Sequence, residues 1–435
     1  MLIMESARDM NWPLWKKILF RFFFIFFTLY MAPWTWLDNV PKVSVLTSWY
    51  YDLEDWIVRT VNAKLLHIKD ELVPVAGSGD TSWGWAQLYT FILIGAVGCI
   101  IWSIIDWKRK SYNKADYWLC LFTRYYIAMF AFLYGIIKIF ALQMPFPNTS
   151  MLATPLGDLL PMRLSWMFMG YSTPYQVFSG IMEALAGTLL LFRRTATFGT
   201  VVATGVFINV MMMNLSYDIP VKIFSMRLVL MCFFLLAHEY KRILAFFVLN
   251  TTADACSIYA VRFTKKWARI TRVVLKLIFI GVAVGWMFYS TWDQYNQYNA
   301  PKPEGPIARG VYDVESYVVN KDTIPALLTD SIRWQDLILE NGFGSIKSAD
   351  SIFRKRYQRG YFNYSTDTAT HSINFFKTFG DTISKLSLKY AIPDSQTVRL
   401  WGKLRNDSLF IVLRKSKRHF QLTERQFHWL SEANR

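Results

Sequence analysis

Long apolar runs recur along the first two thirds of the chain. A helix that crosses a bilayer needs about 20 consecutive, mostly apolar residues, and the pattern predicts seven such spans before residue 291. They cover residues 18–37, 85–105, 117–142, 174–192, 195–213, 220–237 and 271–290. Residues 49–68 have helical spacing and residues 243–259 have too short an apolar part to span, so we expect both to lie along the membrane surface.

The hydrophobic period changes to that of β-strands after Ala308. Short segments rich in β-branched and aromatic residues predict strands at 311–319, 334–339, 354–364, 371–377, 397–404, 408–413 and 426–430. Turn signals separate them at Asn341-Gly342, Asp394-Ser395 and Asn406-Asp407. We therefore predict a small antiparallel barrel or sandwich at the C-terminus.

These patterns together predict an α-helical membrane bundle followed by an all-β domain. Two spans with a long outer loop occupy residues 1–116, and four further spans occupy residues 117–237. Residues 238–290 hold a cytoplasmic or interfacial segment and the last span. A linker rich in proline at its end covers 291–306, and the β-domain covers 307–435.

Composition and charge place the chain at a bilayer rather than on nucleic acid. Charged residues make up 18%, against about 25% in soluble domains, and the net charge is +17. With the N-terminus inside, the predicted cytoplasmic loops hold 16 basic residues and the outer loops hold 5. Because Lys and Arg accumulate in cytoplasmic loops, we expect a bacterial cytoplasmic-membrane protein with a periplasmic C-terminal domain. The expected partners are the lipid bilayer and other membrane or periplasmic proteins.

Few residues suit a resident cofactor. No predicted span contains a histidine, so we expect no transmembrane haem. The four cysteines form no Cys-x-x-Cys pair and lack the spacing of a zinc site. We therefore expect no metal and no intrinsic cofactor, and we interpret His238 and Glu239 as interfacial anchors.

Ionisable side chains inside the predicted spans are candidate functional groups, because burying a charge in a bilayer is costly without a partner or water. The candidates for a catalytic role are Glu183, Arg227 and Arg124. Glu183 and Arg227 lie at comparable depths, which suggests that they form an ion pair. Lys138 shares a helix face with Arg124 and lies nearer the outer side.

A second group of polar residues is expected to converge on a pocket that opens outwards. Its members are ligand-binding candidates: Lys138, Asn209, Asn214, Tyr217, Asp218 and Lys222. The structural alternative is that Asp218 only caps a helix and that the two lysines only reach towards lipid headgroups.

The central four spans resemble the DoxX-like family of four-helix membrane proteins. Residues 123–125 and 132–138 look like that family's first helix with its Arg and Gly-x-x-Lys. Residues 178–187 are similar to its second helix, with a Glu and glycines. Residues 209–222 resemble a block of the longer members that append a β-domain, and residues 426–430 resemble the closing strand of that lipocalin-like domain.

Two functions follow as hypotheses. The resemblance implies a redox-linked subunit, because some DoxX-like proteins are tied to sulfur or quinone oxidoreduction. Such a subunit would bind a quinone near Glu183 and Arg227, with electrons supplied by a partner. The alternative is a non-enzymatic anchor or assembly subunit, whose outer β-domain binds a lipophilic ligand or a protein partner.

Overall fold

The computed structural model describes residues 11–34, 45–74, 79–253, 264–301, 303–327, 333–348, 352–378, 380–381, 383–424 and 429. The chain divides into two compact units. The helical unit comprises Met1–Gln143 and Pro174–Tyr295. The barrel unit comprises Met144–Thr173 and Asn296–Arg435.

The helices of the described residues agree well with the predicted spans. They are α1 (Leu14–Met31), α2 (Val45–Val61), α3 (Ser82–Ile105), α4 (Asn113–Ile139), α5 (Thr149–Leu152), α6 (Pro161–Tyr171), α7 (Thr173–Leu191), α8 (Ala196–Ser216), α9 (Lys222–His238), α10 (Tyr240–Phe247), α11 (Lys266–Ile280), α12 (Met287–Asn299) and α13 (Gln421–Glu424). A π-helical turn follows α2 at Asn62–Leu66, and another at Gly281–Trp286 joins α11 to α12. Each predicted span overlaps one of these helices. The predicted linker is wrong in its first part, since the last helix continues to Asn299.

Several helices are long and apolar enough to cross a membrane. Among the described residues they are α3, α4, α8 and the continuous helix Lys266–Asn299. The pair α9 and α10 would make a fifth span, although the two are bent by 79°. In the last helix, Val274, Ile278 and Val282 are 45%, 55% and 61% exposed. Apolar side chains exposed along a whole helix indicate insertion into a membrane, whereas the total of seven spans stays a prediction.

Two glycines bring α4 and α7 into close contact. A Cβ atom on Gly135 would lie 2.8 Å from the Gly180 carbonyl oxygen, and one on Gly180 would lie 2.6 Å from the Gly135 carbonyl oxygen. Small residues at such a crossing allow backbones to approach closely in membrane proteins. The crossing places Lys138 of α4 beside Glu183 of α7.

The start of α9 is capped by a residue from a distant loop. Asp80 accepts hydrogen bonds from the backbone N–H groups of Lys222 and Ile223, at 2.6 and 3.1 Å. Asp218, which the sequence suggested as a cap, instead has a positive φ of 50° and pairs with the Lys222 ammonium. A carboxylate that binds the free N–H groups of a helix can come from any loop that passes it, so nearness in sequence did not identify the cap.

The C-terminal strands close into an eight-stranded antiparallel barrel, which decides between the predicted barrel and sandwich. The strands are β1 (Gly310–Val319), β2 (Asp322–Thr323), β3 (Asp336–Leu339), β4 (Phe343–Ile346), β5 (Arg354–Arg356), β6 (Arg359–Asp367), β7 (Ser372–Phe376), β8 (Leu386–Asp394), β9 (Thr397–Leu404) and β10 (Asp407–Lys415). The ring runs β1-β3-β4-β6-β7-β8-β9-β10 and closes through β10 on β1. β2 pairs with β1 and β5 pairs with β6, outside the ring.

Side chains fill the barrel. Tyr317, Trp334, Phe375, Leu400 and Ile411 are among the most buried residues of this unit. An eight-stranded barrel is just wide enough for side chains to fill its interior. The core of the barrel unit is therefore a packed one.

Most strand predictions are confirmed, and the errors have local causes. The predicted strand 354–364 is two strands, because Tyr357 and Gln358 both have positive φ and make a two-residue hairpin turn. Two strands were not predicted. β4 is only four residues long, and β8 escaped prediction although Leu386, Leu388 and Tyr390 alternate with polar residues. The predicted closing strand 426–430 lies outside the described residues except for position 429.

Residues 144–173 interrupt the helical unit in sequence and fold with the barrel. Helices α5 and α6, which the pattern did not predict, lie in this segment. The Ser150 backbone N–H and hydroxyl donate to Glu340 Oε1 at 2.8 and 3.1 Å. Arg163 Nε donates to the Tyr357 hydroxyl at 3.1 Å. Polar contacts with side chains in two hairpin turns of the barrel thus hold the segment in the barrel unit.

Candidate functional site in the helical unit

A buried ion pair lies where α4 crosses α7. The Lys138 ammonium donates to Glu183 Oε1, and the two side chains are 5% and 1% exposed. No described residue donates a hydrogen bond to Glu183 Oε2. The expected pair of Glu183 with Arg227 is therefore wrong: comparable depth did not reveal which helix α7 faces, and the glycine crossing turns Glu183 towards α4.

Arg227 of α9 lies in an aromatic environment instead. Its guanidinium carbon is 4.1 Å from the centroid of the Tyr30 ring. The residue is only 6% exposed, yet no described residue accepts a hydrogen bond from its Nε or Nη2. Buried donors without acceptors are costly, and a group of this kind calls for an explanation such as a bound water or ligand.

Aromatic rings extend from Tyr30 along the neighbouring helices. Tyr30 and Tyr126 have ring centroids 5.9 Å apart, and Tyr126 and Phe130 are 4.8 Å apart. Phe224 contacts Phe130 at 4.8 Å and Tyr134 at 6.0 Å. Arg227 thus lies over the ring at one end of a connected series of aromatic side chains, three of which carry a hydroxyl group.

Glu54 of α2 brings a carboxylate near this arginine. It accepts a hydrogen bond from Gln87 of α3 at 2.5 Å. Burial raises the pKa of Glu54, while the Gln87 hydrogen bond and the positive charge of Arg227 act in the opposite direction. No sequence pattern indicated Glu54, Tyr30 or Tyr126, because a tyrosine in an aromatic run and a glutamate in a surface helix have no distinctive spacing.

Arg124, the third predicted catalytic candidate, lies apart from these contacts. Its guanidinium lies 5.4 Å from the ring of the adjacent Tyr125. The side chain is half-buried, and its Nε has no partner among the described residues.

The predicted outward pocket is only partly assembled. Lys222 pairs with Asp218 at 2.6 Å and lies 3.9 Å from Asp80. Asn214 is buried and its amide donates to the Val221 carbonyl at 3.4 Å. Asn209 and Tyr217 are exposed, and Lys138 is engaged with Glu183.

One group of potential metal ligands occurs among the described residues. It comprises Asp116 and Cys120 of α4 with His238 of α9, whose ligand atoms all lie within 4.8 Å of one another. Neither sequence spacing nor the interpretation of His238 as an interfacial anchor indicated this group.

The barrel unit has its own buried polar network. Arg359 is 1% exposed and donates to both carboxylate oxygens of Asp336, at 2.5 and 3.1 Å. Its Nε also donates to Ser345 Oγ at 2.9 Å, and that hydroxyl donates to Ser150 Oγ. Each nitrogen of the Arg359 guanidinium has a protein acceptor. We therefore interpret the network as structural.

Comparison with known proteins leaves the family open. No family model matches the chain, and no solved structure matches it. Over 84 residues the chain is 37% identical to the "Uncharacterized protein YwoB" of Bacillus subtilis (strain 168). The match covers 19% of this chain and 54% of YwoB, so the chain spans about half the length of that relative.

Proposed function

We propose that this chain is a DoxX-like integral protein of a bacterial cytoplasmic membrane and serves as a quinone-binding subunit of a redox assembly. The observation that carries the proposal is Arg227, a buried arginine with two unpaired donor atoms in an aromatic setting. A quinone has a flat ring that stacks on aromatic side chains and carbonyl oxygens that accept hydrogen bonds from a guanidinium.

The position of Glu54 supports a role in proton handling. Reduction of a quinone to a quinol consumes two electrons and two protons. A carboxyl group whose pKa is raised by burial transfers a proton more readily near neutral pH than an ordinary one does. Electrons would come from a partner protein. Lys138 neutralises Glu183, so the proposed site lies at Arg227 rather than between Glu183 and Arg227.

The alternative of a lipophilic ligand inside the barrel has less support. Trp334, Tyr317 and Phe375 occupy the barrel interior. An assembly role for the barrel unit would therefore rest on its outer surface.

A binding experiment tests the proposal on the full chain. The purified protein in lipid nanodiscs is titrated with a short-chain ubiquinone or menaquinone analogue while quenching of tryptophan fluorescence is recorded. Arg227→Met should weaken binding about ten- to a hundredfold, since a hydrogen bond to a charged group contributes about 1.5–3 kcal/mol. Arg124→Met is the matched control and should bind as the wild type does.

Two results would count against the proposal. If the quinone quenches the wild-type protein no more than it quenches free tryptophan mixed with empty nanodiscs, no binding site exists. Equal binding by the wild type and a folded Arg227→Met variant would show that Arg227 does not hold the quinone.

A further inference from the structure

Three side chains with the chemistry of metal ligands meet between α4 and α9. Asp116 and Cys120 are four residues apart on α4 and so lie on one face of that helix. His238, the last residue of α9, places its Nε2 atom 3.0 and 3.2 Å from the two carboxylate oxygens of Asp116. All three ligand atoms lie within 4.8 Å of one another.

The orientation of the His238 ring is an independent observation that points to a cation. Its Nδ1 lies 2.8 Å from the Phe234 carbonyl oxygen. A carbonyl oxygen only accepts hydrogen bonds, so Nδ1 carries the proton. In the neutral ring, the lone pair of Nε2 then points at the carboxylate of Asp116. Two acceptors face each other, so either a proton or a metal ion must lie between them.

The same orientation is typical of metal-binding histidines. Such a histidine usually donates its other ring N–H to a backbone carbonyl or a carboxylate, which fixes the ring and directs the free nitrogen to the metal. The distances between Nε2 and the carboxylate oxygens are close to the ~3.3 Å edge of a tetrahedron with zinc–ligand bonds of about 2.0 Å.

Among the described residues, Asp116 forms an ion pair with His238 and none with a lysine or arginine. The neighbouring Glu239 pairs with Arg242 at 3.0 Å, so that arginine is already engaged. Cys120 is 6% exposed, and a thiolate there needs compensation of its charge.

We propose that Asp116, Cys120 and His238 bind one zinc ion. The mixture of sulfur, nitrogen and oxygen ligands suits zinc better than calcium or magnesium, which prefer oxygen alone. Three protein ligands leave the fourth tetrahedral position for water or a further ligand. The site is separate from Arg227 and does not depend on quinone binding.

Cobalt substitution in the full chain tests this site. The detergent-purified protein is stripped with a chelator and titrated with Co²⁺, whose bond to a thiolate gives a charge-transfer absorption in the near ultraviolet. We expect one equivalent to bind with that absorption. Cys120→Ser should abolish the absorption, while Cys232→Ser, a buried cysteine of α9 outside the group, should retain it.

Loss of a residue that only hydrogen-bonds to a metal ligand lowers metal affinity by about 10- to 100-fold. His238→Gln removes a ligand itself and should lower the affinity for Co²⁺ by more than that. Absence of the absorption in the wild type overturns the proposal in favour of an imidazolium–carboxylate ion pair. Its persistence in Cys120→Ser also overturns the proposal, because another cysteine would then hold the metal. If Cys120→Ser fails to fold, X-ray absorption on the zinc-loaded wild type decides instead. One sulfur neighbour at about 2.3 Å supports the site, and a shell of only nitrogen and oxygen overturns it.

Discussion

The ion pair of Lys138 and Glu183 should be a strong determinant of the stability of the helical unit. The two side chains are 5% and 1% exposed. Glu183 Oε2 already lacks a partner, so removal of the lysine would leave the whole carboxylate without one. Removing one member of a buried pair costs about 3–5 kcal/mol, because the remaining charge stays buried and uncompensated.

Replacing both members should cost far less. A buried pair exchanged for apolar side chains of similar volume is often neutral or stabilising. We therefore expect Lys138→Met and Glu183→Leu each to destabilise the protein by about 3–5 kcal/mol, and the double variant to regain most of that loss. This is the signature of two residues whose main contribution is to compensate each other.

The assay is equilibrium unfolding in mixed micelles with increasing denaturing detergent, followed by circular dichroism. Asp218→Asn is the control, because the pair of Asp218 with Lys222 leaves the carboxylate 82% exposed; its loss should cost less than about 1 kcal/mol. A double variant that loses as much free energy of unfolding as the sum of the two single variants would show that the two charges do not compensate each other.

Three further predictions concern packing, pH and the barrel network. Gly180→Ala should destabilise the protein by about 1–3 kcal/mol in the same assay, because its Cβ would lie 2.6 Å from the Gly135 carbonyl oxygen of α4. A Cβ on Gly205 would have no atom within 4 Å, so Gly205→Ala should be neutral or stabilising by up to about 1 kcal/mol. Burial raises the pKa of Glu340, so the folded state binds more protons than the unfolded state between the two pKa values, and stability should fall as the pH rises through that interval. Thermal unfolding across this range should show the fall in the wild type and a flatter profile in Glu340→Gln, and an unchanged slope would contradict this assignment. Arg359→Met should lower the free energy of unfolding by about 3–5 kcal/mol, because it leaves the buried Asp336 carboxylate without its ion-pair partner. Unfolding in urea, followed by tryptophan fluorescence, measures this loss. A loss below about 1 kcal/mol would show that the network does not stabilise the barrel.

The positions of the helices and most strands followed from the sequence because they depend on local patterns. A run of apolar residues long enough to span a bilayer is also long enough to form a helix, and each predicted span overlaps one. β-Branched and aromatic residues between two turn signals located β9 at Thr397–Leu404 as predicted. The pattern failed where strands were short, as at Phe343–Ile346, or where a turn with positive φ divided a segment.

The contacts between side chains depended on the tertiary structure. Spacing along a helix places residues on a face, but it does not say which neighbouring helix that face meets. Contact between Gly135 and Gly180 decided that Glu183 meets Lys138 and not Arg227. The helix packing likewise brought Tyr30 to Arg227 and His238 to Asp116, over separations in sequence that no local pattern encodes.

The sequence by itself therefore determined the helical and β-rich divisions, the apolar helices and the ionisable residues worth testing. Only the tertiary structure decided their partners, the closure of the barrel through β1 and β10, and the inclusion of residues 144–173 in the barrel unit. The physical reason is that hydrophobic periodicity is a property of neighbouring residues, whereas the pairing of charges and the closure of a sheet are properties of distant segments.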